Sequence, residues 1–157
     1  MSNGSVFSAQ IAEFVAKAKG NADLVVRKVA LEMFGRVIQK SPVDTGRFKS
    51  NWQVSINSIP SGTIGLDKSV SHDVDGKEHE RGAGSARSAA AAGASLTRVN
   101  TVALGAKAGQ IIYLVNNLDY ALALEYGHSR QAPAGMVRLT IVEFQGIVNQ
   151  AAATLPK

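Results

Sequence analysis

The sequence predicts an α+β fold: two N-terminal helices and a C-terminal helix packed on a small antiparallel sheet, with a long variable excursion in the middle. Three observations carry that prediction. Apolar residues recur with a helical period from Phe7 to Ile38, alternate with a two-residue period from Trp52 to Ile56, and return to the helical period after Pro133. With 157 residues, 45% of them hydrophobic and 18% charged, the chain is expected to form a single domain over 1–157 around its own core.

Phe7, Ile11, Phe14, Val15 and Ala18 mark one face of a first helix, and Gly20-Asn21 reads as its stop. A second helix is expected from about Ala22 to Gln39. Leu24, Ala30, Leu31, Phe34, Val37 and Ile38 are on its apolar side, and Arg27, Lys28, Glu32 and Arg36 on its polar side. Ser41-Pro42 ends it, because a residue preceding proline is pushed out of the helical region. In "WQVSINSI", Trp52, Val54 and Ile56 alternate with polar residues, the pattern of a half-buried strand. "SGTIGL" after Pro60 reads as a short return strand.

From about Val70 the character changes. "HDVDGKEHERGAG" is polar and glycine-punctuated, and "SARSAAAAGASLTRVNTVAL" is rich in small residues. Alanine favours helix but offers little side-chain area to bury. Residues 70–104 are therefore expected to be a flexible excursion or arm that leaves the core and orders against a neighbour. A second strand is expected over Gln110 to Asn116. "LDYALALEYG" reads as a short helix or turn closed by Gly127 as a left-handed cap. Pro133 suits the first turn of a last helix. Met136, Leu139, Val142, Phe144, Ile147, Val148 and Ala151 would carry that helix's apolar surface to about residue 153.

The absence of cysteine excludes disulfides, thiolate metal sites and cysteine nucleophiles. No secretory leader is read at Met1-Ser-Asn-Gly-Ser, and no apolar run approaches the ~20 residues of a membrane span, so a protein made in the cytoplasm without a membrane partner is expected. The net charge of +5 invites a nucleic-acid reading. The charge is spread thinly, however, no dense basic run occurs, and aromatic residues are only 6%, so platforms for base stacking are scarce. A small basic nucleic-acid-binding protein stands as the alternative reading.

Chemistry is hard to find. His72, Asp73, Asp75, Glu78, His79 and Glu80 come nearest to a metal site, but a calcium loop starting at Ser71 would place Gly82 where the bidentate glutamate belongs. The spacing is not H-E-x-x-H either. His128 beside Ser129 lacks a G-x-S-x-G context, and adjacent side chains generally diverge, so the serine is expected to bond nearby backbone. "GAGSAR" lacks the lysine and the preceding strand of a phosphate loop. No catalytic residue, metal ligand or cofactor is expected.

Two decorated segments remain. In "SPVDTGRFKSNW", Asp44 is placed to cap a short helical turn, Gly46 to let the backbone reverse, and Trp52 to enter the core where a strand begins. "NNLDYALALEYGHSRQAPAGMV" runs from a strand end through a short helix, a glycine stop and a polar loop to a helix start. A "VDTG…W" turn after a long helix, with "YA…LEYG.S.QAP.GMV" before the final helix, resembles the tail-component proteins of long-tailed bacteriophages. These are also described as neck or tail-completion proteins, similar to minor tail protein Z. The likeness runs in order along nearly the whole chain, with Phe48 where an aliphatic residue is more usual.

The resemblance implies a non-enzymatic virion protein of the head–tail neck. It implies a homo-oligomeric ring, expected to be a hexamer, that completes the tail and joins it to the connector. Its partners would be further copies of itself, the tail terminator or tail tube protein, and the head–tail connector, with double-stranded DNA passing through without sequence-specific binding. Asp44, Thr45, Gly46 and Trp52 correspond to the structural turn. Tyr120, Glu125, Tyr126, Gly127, Gln131, Pro133 and Gly135 correspond to the second motif, expected with Arg130 at the subunit interface.

Overall fold

The computed structural model describes residues 3–65 and 81–155, with side chains described over 8–65 and 88–155. A single 38-residue helix, α1 (Asn3–Lys40), opens the chain and runs roughly 57 Å at 1.5 Å per residue. The expected stop at Gly20-Asn21 is thus corrected. A glycine costs a helix only about 1 kcal/mol, and the half beyond it is anchored by Ala30, Val37 and Ile38 in the core, so the helix continues through.

After a turn come α2 (Arg47–Ser50), β1 (Gln53–Ile56), α3 (Arg81–Ala103) and β2 (Ile112–Val115), then α4 (Ala121–Glu125), α5 (Val137–Val142) and α6 (Phe144–Ala153). The two strands pair antiparallel, with Val54 opposite Leu114 and Ile56 opposite Ile112. Val54, Ile112 and Leu114 pack on a core built from α1, α3, the turn and the start of α5, including Ile38, Trp52, Val99 and Met136. Helices with a small antiparallel sheet make the fold α+β, as the two periodicities foretold.

The middle region departs most from expectation. Residues 66–80 lie outside the described residues, and with them the candidate metal loop from His72 to Glu80. The alanine-rich half is no excursion from the core: it is α3, packed against α1, α2 and β1. Ala91, Ser95, Val99 and Ala103, each four residues from the last, are buried on one face. Small side chains offer little area each but can still seat a helix on its neighbours, and at Gly35 of α1 the Leu96 side chain of α3 is 3.8 Å from where a Cβ would sit.

Among the described residues 61–65, the expected return strand does not form. The buried side chain of Asn51 donates to the Ile64 carbonyl at 2.7 Å and accepts from its N–H at 2.9 Å, replacing a neighbouring strand's backbone at this point. The last helix starts at Val137 rather than Pro133 and breaks at Glu143, whose N–H bonds tightly back to Thr140 at 3.1 Å. The break turns the expected apolar surface. Met136, Ile147 and Ala151 are buried, whereas Leu139, Phe144 and above all Val142, 84% exposed, face outwards.

Candidate functional site

The turn after α1 is held by its own side chains. Ser41 Oγ donates to the Val37 carbonyl at 2.8 Å and accepts from Trp52 Nε1 at 2.8 Å. This seats the indole, 5% exposed, without leaving its N–H unpaired. Gly46 has φ +85 and stands at the N-cap of α2, so the reversal needs glycine there. Asp44 is not the cap that the sequence suggested. It lies two residues too early, its side chain is exposed, and Thr45 Oγ1 instead accepts from the Arg47 N–H in a long 3.4 Å contact. Phe48 is buried edge-on to Trp52, with ring centroids 5.8 Å apart.

The second segment is built the same way. Helix α4 ends with the Gly127 N–H on the Leu124 carbonyl and the His128 N–H on the Ala123 carbonyl, a paired closure that requires the φ of +91 found at Gly127. The Glu125 carboxylate caps the N-terminus of α5, accepting from the N–H groups of Met136, Val137 and Arg138 at 2.9, 3.0 and 2.9 Å. Arg138 returns the contact: its guanidinium donates to the Glu125 carbonyl at 2.6 Å and lies 4.9 Å above the Tyr126 ring. Burial pushes the Glu125 carboxyl up, but the three backbone donors and Arg138 outweigh it and hold the group below its ordinary value.

Two glycines make this approach possible. A Cβ on Gly135, at φ +81, would fall 2.5 Å from both the Glu125 carbonyl and its Oε1. One on Gly127 would fall 2.6 Å from the Pro133 carbonyl. Glu125 was expected at a subunit contact. Its carboxylate is bound within the chain, and Arg130, Pro133 and Tyr126 stand exposed.

The two segments are fastened to each other by hydrogen bonds between residues 68 and 88 positions apart. Gln131 accepts from the Val43 N–H at 2.9 Å and donates to the Val43 carbonyl at 2.8 Å. Asn116 Nδ2 donates to the Phe48 carbonyl at 2.9 Å, and the Tyr120 ring lies 6.1 Å from that of Phe48. Sequence reasoning named Gln131 and Tyr120 without these roles and missed Ser41, Asn51 and Asn116. Short polar side chains that bond distant backbone leave no periodic signal.

Between the segments lies an open cleft of about 260 Å³, lined among others by Asp44, Thr45, Tyr120, His128 and Ser129. Its polar groups are not arranged for proton transfer between them. His128 Nδ1 lies 2.9 Å from the Ala123 carbonyl, and Ser129 Oγ accepts from the Gln131 N–H at 3.2 Å, as a turn-forming serine does. Burial raises the Tyr120 phenol above its ordinary value, away from use as a base near neutrality. No group of three or more His, Asp or Glu residues among the described residues could hold a metal ion.

Many of the cations behind the net charge are used within the fold. Lys49 is buried and donates to the Gln39 carbonyl at 3.1 Å and Ser88 Oγ at 3.3 Å. Arg98 reaches the carbonyls of Ser50 and Trp52 and Ser95 Oγ, tying α3 to the turn. Burial lowers the pKa of both groups. Arg36 and Lys40 both bind Glu143 at 2.8 Å, fastening the α5–α6 joint to α1.

Fold and site together define a small α+β domain whose two ornate segments interlock. Compared with known proteins, the chain matches no family model, no curated protein and no solved structure.

Proposed function

We propose that this is a structural virion protein of the bacteriophage head–tail neck. It would form a ring, a hexamer by family resemblance, that completes the tail and joins it to the connector while DNA passes through the lumen. One observation carries the reading: the two segments that bear the resemblance bind each other, through Gln131 and Val43, and use their polar atoms to fix a shape. A corner of this kind is suited to presenting a constant surface to neighbouring copies. Exposed Leu122, Tyr126, Ile141 and Val142 support the same reading, because large apolar residues left on a surface in number mark protein contacts.

The neck partners are the tail terminator or tail tube protein on one side and the connector on the other. The test is electron microscopy of the purified protein, alone and with tail tubes, beside virions made without it. Rings, and virions with unjoined heads and tails, are the expected result; normally joined tails without the protein overturn the proposal. The net charge of +5 favours the rival reading, a nucleic-acid-binding protein. It is weakened because Lys49, Arg98, Arg36, Lys40 and Arg138 are each bound to groups of the fold itself. Salt-dependent DNA affinity in a protein that stays monomeric would establish the rival.

A further inference from the structure

Two apolar surfaces that no described residue covers lie on the same helix. Every residue of α1 from 8 to 20 is exposed, and Ile11, Phe14, Val15 and Ala18 share a face there, with Phe14 69% exposed. Further along α1, Val25, Val29 and Met33 line an open apolar groove of about 370 Å³ with Ile112 of β2 and Phe144 and Val148 of α6.

The two match in kind and length. From Ile11 to Ala18 the arm's apolar face spans roughly 10 Å along the axis, and from Val25 to Met33 the groove spans roughly 12 Å. The arm cannot enter its own groove, because the unbroken helix holds Phe14 and Val29 roughly 22 Å apart. A helix of this length with no packing is marginal in water, and no described residue of the same chain covers this face. In a head-to-tail contact the 13 residues of one arm meet the 10 that line one groove, a small interface beside the ~20–30 a side of a standard one, and each copy takes part in two.

We propose that the cover is a second copy of this chain: the arm formed by residues 8–20 of one subunit lies in the groove between α1, β2 and α6 of the next. The ring reading supplies the head-to-tail closure of this contact, by which each copy gives one arm and receives one. The contact itself does not depend on that closure.

The chain has no cysteine, which makes a clean experiment possible. Phe14→Cys copies are mixed with Val29→Cys copies of the full chain under mild oxidation. A 14–29 disulfide cannot form within one helix, since its Cα atoms would have to come within ~7 Å. The expected product is a cross-linked pair containing one of each variant. In parallel, Phe14→Asp should weaken self-association by about tenfold to a hundredfold while the dilute monomer keeps its melting temperature.

Cross-linked pairs in ring assemblies support both the contact and the ring. Cross-linked pairs found only as closed dimers support the contact and overturn the ring. Rings that persist in Phe14→Asp with no 14–29 cross-link overturn the contact and leave the ring standing. A wild-type protein that stays monomeric at every concentration overturns both.

Discussion

The corner formed by residues 41–52 and 116–138 and the arm formed by residues 8–20 of α1 use their side chains in opposite ways. In the corner, Ser41, Glu125, Gln131 and Asn116 each bond backbone that is distant or at an element's end, and the aromatic rings of Phe48, Trp52 and Tyr120 meet. In the arm, helical residues with an apolar face are all exposed. The corner therefore holds its shape within one molecule, whereas the arm's apolar face is left open by the described residues. Substitutions in the corner should be read in the stability of the single chain, and substitutions in the arm in association.

The largest effect is expected at Trp52. Trp52→Ala removes a buried indole and leaves Ser41 Oγ without its donor, which should cost about 3–5 kcal/mol by denaturant unfolding. A loss under 1 kcal/mol would mean that the turn is held by something other than this packing. Gly135→Ala comes next. Its Cβ would strike the Glu125 carboxylate at a backbone conformation that costs roughly 1–2 kcal/mol for any L side chain, so the cap of α5 should be lost with it. A total of about 2–4 kcal/mol is expected, and full retention of the wild-type melting temperature would refute the close approach.

How far these features can be read from sequence alone follows from how each is encoded. Glycines at Gly46 and Gly127 were legible, because only glycine takes a positive φ freely at a reversal or a helix end. Strand β1 was legible because Val54 and Ile56 alternate with polar residues, and β2 because its centre is a continuous apolar run. Helix α3 was misread because Ala91, Ser95 and Ala103 look too small to form a core, although all three are buried with Val99 on one face. Gly20-Asn21 was misread because a weak local preference was given priority over the packing beyond it. The corner's cross-links were not legible at all, since Gln131 and Val43 are 88 positions apart and neither residue type implies the other.

A smaller effect, and one with a pH signature, is expected at Glu125. Its carboxyl lies below the ordinary value in the folded chain. Its contribution is therefore complete above the unfolded pKa of about 4.3 and declines as pH falls through the folded value. Glu125→Gln should lower stability at pH 7 by about 1–3 kcal/mol, with the gap from wild type narrowing below about pH 4. A gap that stays constant down to pH 2 would separate the cap's energy from its charge. Gln131→Ala should cost less, about 1–2 kcal/mol for two hydrogen bonds at an exposed site.

The smallest expected effect tests the other side of the comparison. Phe14→Ser replaces the most exposed large residue of the arm, so in dilute protein it should move stability by no more than about 0.5 kcal/mol. Unfolding at low and high protein concentration separates the possibilities, because an interface that forms only between folded chains stabilises them by mass action. Wild type should gain melting temperature with concentration and Phe14→Ser should not. A loss above 1 kcal/mol in the dilute variant would show that the arm already packs inside its own chain, and the contrast between corner and arm would fail.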